Sequence, residues 1–153
     1  MSPIKKVAVV GGSGNLGPNI LSGLLSSGFE VTVISRKESK STFPRDITVK
    51  KVDLTSEGSI AEALEGQEAV ISVVGTDGFT SQKTLIDAAV AAKVKRFIPS
   101  EFGINTRKAR GSKIGDILAP KIQTVDYLIE ISAKNSSFTW TGIAAGPFFD
   151  WVN

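Results

Sequence analysis

Neither cysteine nor histidine occurs in the 153 residues. Disulfides, thiolate nucleophiles and thiolate zinc sites are therefore excluded. The lack of histidine removes the usual general base and the commonest transition-metal ligand. Any acid–base chemistry falls to Lys, Tyr, Asp or Glu. No apolar run approaches the roughly 18 residues of a membrane-spanning helix. The opening Met1-Ser2-Pro3-Ile4-Lys5-Lys6 runs into an apolar stretch that ends in glycines rather than in a small-residue cleavage site, so no signal peptide is read there. A cytoplasmic protein is expected, with no membrane partner. Charge of one sign is also scarce, because 18 Lys and Arg against 15 Asp and Glu leave a net +3. That surplus does not point to nucleic acid, but it suits an anionic cofactor.

What is present alternates between two patterns. Short β-branched runs at Ile4–Val10, Glu30–Ser35, Ile47–Val52, Ala69–Val74, Arg96–Pro99 and Phe138–Ile143 read as strands. Several are apolar on consecutive residues, as in a parallel sheet covered on both faces. Between them lie helical stripes: Leu21, Leu24 and Leu25, closed by Gly28; Ile60, Ala63 and Leu64, with Thr55 and Ser56 as cap candidates and Gly66 as terminator. Thr80 is a candidate cap for Leu85, Ile86 and Ala89, and Pro120 suits the first turn of a helix carrying Ile122, Val125 and Ile129. The alternation predicts one α/β domain over residues 1–153, a Rossmann-like doubly wound parallel sheet with order 3-2-1-4-5-6. The stretch from Gly103 to Leu118 has no clear pattern and carries Arg107, Lys108, Arg110 and Lys113. It reads as a solvated loop, or as one that folds over substrate or cofactor phosphate.

The first strand runs into Gly11-Gly12-Ser13-Gly14-Asn15-Leu16-Gly17, and a helix follows. Glycine serves here because the turn needs unusual dihedrals, the backbone must approach a pyrophosphate, and the helix must pack on the strand. A pyrophosphate at that helix start meets free N–H groups and a favourable dipole. A tight ligand-free turn is the competing reading. About twenty residues beyond such a loop, NAD-binding domains offer a carboxylate to the ribose 2′-hydroxyl. This chain has Ser35-Arg36-Lys37 there, and two cations favour a 2′-phosphate. NADP(H) is the expected cofactor; a solvated basic turn is the alternative. Other strand ends should face the same cleft: Asp53 and Leu54; Val73, Val74 and Gly75; Ser100 and Glu101; and Gly146, Pro147 and Phe148.

The segments GGSGNLG, SRK, FIPSEFG at Phe97–Gly103 and GPFFDW at Gly146–Trp151 resemble the isoflavone-reductase-like and NmrA-like proteins, atypical short-chain dehydrogenases/reductases, with the fungal branch nearest. The resemblance implies reduction of a small unsaturated or carbonyl substrate of phenolic type with NADPH. It also implies a catalytic lysine near the start of the helix after the FIPSEFG segment, matched by Lys121, and places Gln82 close to the cofactor; Phe102, next to Glu101, is also read as cofactor-binding. A surface lysine, or one that holds the ribose without moving a proton, stays open for Lys121. The usual Tyr-x-x-x-Lys pair is missing, since Ile131 stands four residues after Tyr127. The resemblance also implies a C-terminal substrate-binding portion that this chain largely lacks, so Phe148, Phe149 and Trp151 are expected as an exposed apolar patch that favours self-association. The alternative function is a non-catalytic NAD(P) sensor acting on a protein partner.

Overall fold

The computed structural model describes residues 3–75, 78 and 81–146. Its sheet has six parallel strands in the order β3-β2-β1-β4-β5-β6. These are β1 (Lys6–Val10), β2 (Glu30–Arg36), β3 (Thr48–Val52), β4 (Ala69–Ser72), β5 (Arg96–Ile98) and β6 (Thr139–Trp140). The helices are α1 (Gly17–Ser26), α2 (Glu57–Ala63), α3 (Gln82–Ala91), α4 (Lys113–Ile117) and α5 (Ala119–Lys134). The expected class and strand order are both found.

Strand alternation divides β1 between two cores. Val7 and Val9 join Leu21, Val31 and Val33 on the face covered by α1. Ala8 and Val10 join Ile60, Leu64, Ile86 and Leu128 on the face covered by α2, α3 and α5. Side chains of successive strand residues point to opposite faces, so a run that is apolar throughout fills both layers. Helix ends follow the expected chemistry. The Ser56 hydroxyl accepts from the Ser59 amide at 3.2 Å and caps α2. Gly28 and Gly66, with φ of +80° and +75°, follow the ends of α1 and α2. Pro120 stands in the first turn of α5.

Three expectations need correction. In the α5 stripe Ile129 is 44% exposed, and Leu128 takes the core position beside Ile122 and Val125. The final strand is only two residues long rather than Phe138–Ile143, although Phe138 is buried against Phe97. The stretch from Gly103 to Leu118 is not a plain loop, because it holds a 3-10 turn at Thr106–Ala109 and the helix α4. Side chains of Asn105 and Ser112 cap these two elements, accepting from the amides of Lys108 and Gly115. The expected cap Thr80 lies outside the described residues. Among the described residues no helix is long and apolar enough to cross a membrane, and no cluster of carboxylates could hold a metal ion.

Candidate nucleotide-binding site

A cleft of about 410 Å³ opens at the carboxyl ends of β1, β2 and β4, where the strand order reverses. The turn after β1 forms its floor. Gly11 has φ +87°, and a Cβ there would stand 2.8 Å from the carbonyl of Val73. A Cβ on Gly17 would stand 2.1 Å from the Gly12 oxygen. Both positions are closed to side chains by the protein itself. Gly14 differs: it is exposed, and its nearest neighbour to a Cβ is the Gly11 oxygen at 3.4 Å, an ordinary contact.

The amides of Gly14 and Gly17 bond within the turn, to the oxygens of Gly11 (3.0 Å) and Gly14 (3.1 Å). Among the described residues nothing takes up the amides of Ser13, Asn15 or Leu16. Helix α1 starts at Leu16 without a side-chain cap and with Pro18 in its first turn. Uncapped amides at a helix start are unsatisfied donors with a positive end of the dipole behind them. Amides that shape the turn are thus distinct from those left open to a ligand.

Of the residues expected to face the cleft, Gly11, Gly12, Ser13, Gly14, Ser35, Arg36, Leu54, Val73, Val74 and Gly75 line it. Asn15, Leu16 and Gly17 complete the turn behind. Lys37 does not line the cleft, and its charge acts on Asp53 instead. Asp53 is turned away too, with Oδ1 accepting from the Thr55 amide at 2.9 Å and hydroxyl at 2.6 Å. Those bonds hold its carboxyl below the ordinary range. Ser39, Ser41 and Thr55, for which the sequence carries no site signal, also line the cleft, together with Gly78 and Ser81. Ser39 and Ser41 lie on the irregular segment after β2, bringing two hydroxyls to the side where Arg36 stands.

The β5 end is built differently. Gln82 is 1% exposed, and its Oε1 accepts from the Ser100 amide at 2.9 Å. Ser100 in turn donates its hydroxyl to the Val74 oxygen at 2.8 Å. Gln82 and Ser100 therefore act behind the cleft wall, tying α3 and β5 to the Val74 backbone. Phe102 packs on the α1-side core, and Gly146 donates its amide to Gly103. Pro147 and Phe148 lie outside the described residues, as do Phe149 and Trp151.

Glu101 is 7% exposed and accepts the Thr106 hydroxyl at 2.7 Å, so its carboxyl points into the protein rather than into the cleft. Burial raises its pKa, while Thr106, Lys121 and Arg107 pull it back. Lys121, in the first turn of α5, is half-buried. Burial lowers its pKa from the ordinary lysine value, and the Glu101 charge partly restores it. A lysine whose ammonium is penalised by burial gives up a proton more readily than one in water.

A model of the NmrA-like family matches residues 3–151. Among curated relatives, the oxidoreductase aprR of Aspergillus flavus is 46% identical over 148 residues, covering 95% of this chain and 49% of that protein. The isoflavone reductase homolog IRL of Zea mays is 29% identical over 153 residues, covering 87% of this chain and 50% of that protein. Among solved structures, AtPrR2 with NADP+ and (+)pinoresinol matches at a TM-score of 0.76 and 25% identity, over 93% of this chain and 50% of its own. The chain spans about half the length of the curated relatives it matches.

Proposed function

The chain belongs to the NmrA-like family, and from that premise we propose that it binds NADP(H) in the cleft above β1, β2 and β4 and serves reduction of a small unsaturated or carbonyl compound of phenolic type. One observation carries the reading. The open amide of Ser13 shares a cleft with Arg36, the open amides of Asn15 and Leu16 follow on the same turn, and Gly14 leaves room for a ligand where the protein does not itself require glycine.

The residues present fit such a dinucleotide. Ser13, Asn15 and Leu16 would donate to the pyrophosphate at the start of α1. Arg36, with Ser39 and Ser41 beside it, would hold the ribose 2′-phosphate, and Lys37 would add only longer-range charge. Leu54 and Thr55, which line the cleft, would flank the adenine. Val74 and Gly75, braced by Ser100 and Gln82, would form the wall on the nicotinamide side. When bound, the nucleotide would supply a hydride, and the protein position and electrostatics. Lys121 delivers the proton at the reduced atom, its ammonium made more acidic by burial. The relatives' names support this reading: an oxidoreductase, an isoflavone reductase homolog and a structure containing NADP+ and pinoresinol.

Titration with NADPH, followed by an NADPH-oxidation screen over enones, quinones and phenolic ethers, tests the proposal. Turnover that disappears in Lys121→Ala supports it. Tight NADPH binding without turnover on any compound moves the assignment to a nucleotide-responsive regulator.

A further inference from the structure

A second cavity, of about 220 Å³, lies where β5 and β6 end. Glu101, Asn105, Arg107, Val125, Trp140 and Thr141 are among its lining residues. It is on the carboxyl edge of the sheet, as the nucleotide cleft is, but two strands further along. Ligands of doubly wound domains bind outside the carboxyl ends of the strands.

The lining is specific in its chemistry. Glu101 is nearly fully buried behind this lining, with Oε2 accepting from Thr106 and Oε1 meeting no hydrogen-bond partner among the described residues, and the charges of Lys121 and Arg107 oppose its own. Asn105 uses its side-chain oxygen to cap the 3-10 turn, leaving its amide nitrogen as a donor. Thr141 already receives Arg96 on its hydroxyl at 2.7 Å. Arg107 is exposed and enters no ion pair among the described residues, whereas its neighbour Arg110 pairs with Asp126. Trp140 adds an indole to the lining and packs against the core. Gly142 stands beside that ring, where a Cβ would come within 3.4 Å of its edge.

We propose that this cavity is the subsite for a single aromatic ring bearing an anionic oxygen group, with the ring along Trp140 and the anion on Arg107 and Asn105. A guanidinium binds a planar carboxylate through two parallel hydrogen bonds, and a neutral amide of the same shape forfeits the charge. The identification of the bound compound as substrate rests on the reductase reading above; the binding site does not.

Calorimetric titration of the whole chain with benzoate, benzamide and cyclohexanecarboxylate tests it. Benzoate should bind about tenfold more tightly than benzamide, a charge-assisted preference, and more tightly than the non-aromatic acid. Arg107→Gln should reduce benzoate to the benzamide level, and Trp140→Leu should remove the preference for the aromatic acid. Equal affinities for benzoate and benzamide in the unmodified chain, no detectable binding of any probe, or an Arg107→Gln variant that keeps the preference would overturn the proposal. NADPH titration of the same preparation separates the two readings. Benzoate discrimination without nucleotide uptake would sink the reductase reading and leave the subsite, and the converse result would do the opposite.

Discussion

Gly17 meets the carbonyl of Gly12 so closely that a single added carbon would stand 2.1 Å from its oxygen. Helix α1 is thereby seated directly on the turn that follows β1. Gly14, three residues earlier and exposed, has no such neighbour. The two glycines therefore answer to different demands, one from the fold and the other from a ligand.

Gly17→Ala should lower stability by about 3 kcal/mol or more, because backbone rather than a flexible side chain has to move. Gly14→Ala should leave the melting temperature close to that of the unmodified chain. It should weaken NADPH binding at least about tenfold, through a methyl group facing the pyrophosphate. Thermal melts paired with nucleotide titrations check both, and a Gly14→Ala protein with full NADPH affinity would show that the pyrophosphate does not pass over Gly14.

Arg36→Ala should cost NADPH about ten- to a hundredfold in affinity and NADH little, since only the former carries the 2′-phosphate. Lys37→Ala should cost less, because Lys37 lies off the cleft. Dissociation constants for both nucleotides in both variants give the comparison, and a larger effect from Lys37 would return the phosphate seat to the place suggested by sequence alone.

Lys121→Ala should retain NADPH binding and lower any turnover by about a hundred- to ten-thousandfold, as expected for loss of a proton donor. A donor works only while protonated. With its pKa lowered by burial, the alkaline fall in rate should come below the ordinary lysine value of 10.5. A rate profile through pH 7 to 11 checks this; a plateau extending to 10.5 would contradict the role.

Glu68 gives a pH effect unrelated to the site. It accepts the amides of Lys5 and Lys6 and the ammonium of Lys95, which lower its pKa from 4.5 to about 2. A carboxylate with a depressed folded pKa adds stability that is fully present above the unfolded value and is lost as pH falls toward the folded one. The melting-temperature gap between the unmodified chain and Glu68→Gln should be constant above about pH 5 and shrink between 4.5 and 2. A gap independent of pH across that window would refute the linkage.

The sheet was legible because several of its strands are apolar on consecutive residues, a pattern that fits burial on both faces. The glycine loop was legible because glycine marks backbone constraints directly. Ser39, Ser41 and Thr55 were not, since polar loop residues carry no periodicity and only the folded sheet brings them to Arg36. Helix α4 escaped because it has five residues and two exposed isoleucines, Ile114 and Ile117, and so no apolar stripe. Its cap, Ser112, was the available signal. Leu128 displaced Ile129 because the two are adjacent, and a shift of one residue turns a helical side chain by about 100°. The inward turn of Glu101 toward Thr106 depends on the 3-10 turn after β5, which composition alone does not announce.

The most direct test of nucleotide binding is calorimetric titration of the folded chain with NADPH and NADH side by side. The account predicts saturable one-to-one uptake of NADPH, with NADH at least about tenfold weaker for want of the phosphate that Arg36 would hold. Absence of heat with either nucleotide, or tighter binding of NADH, would contradict it.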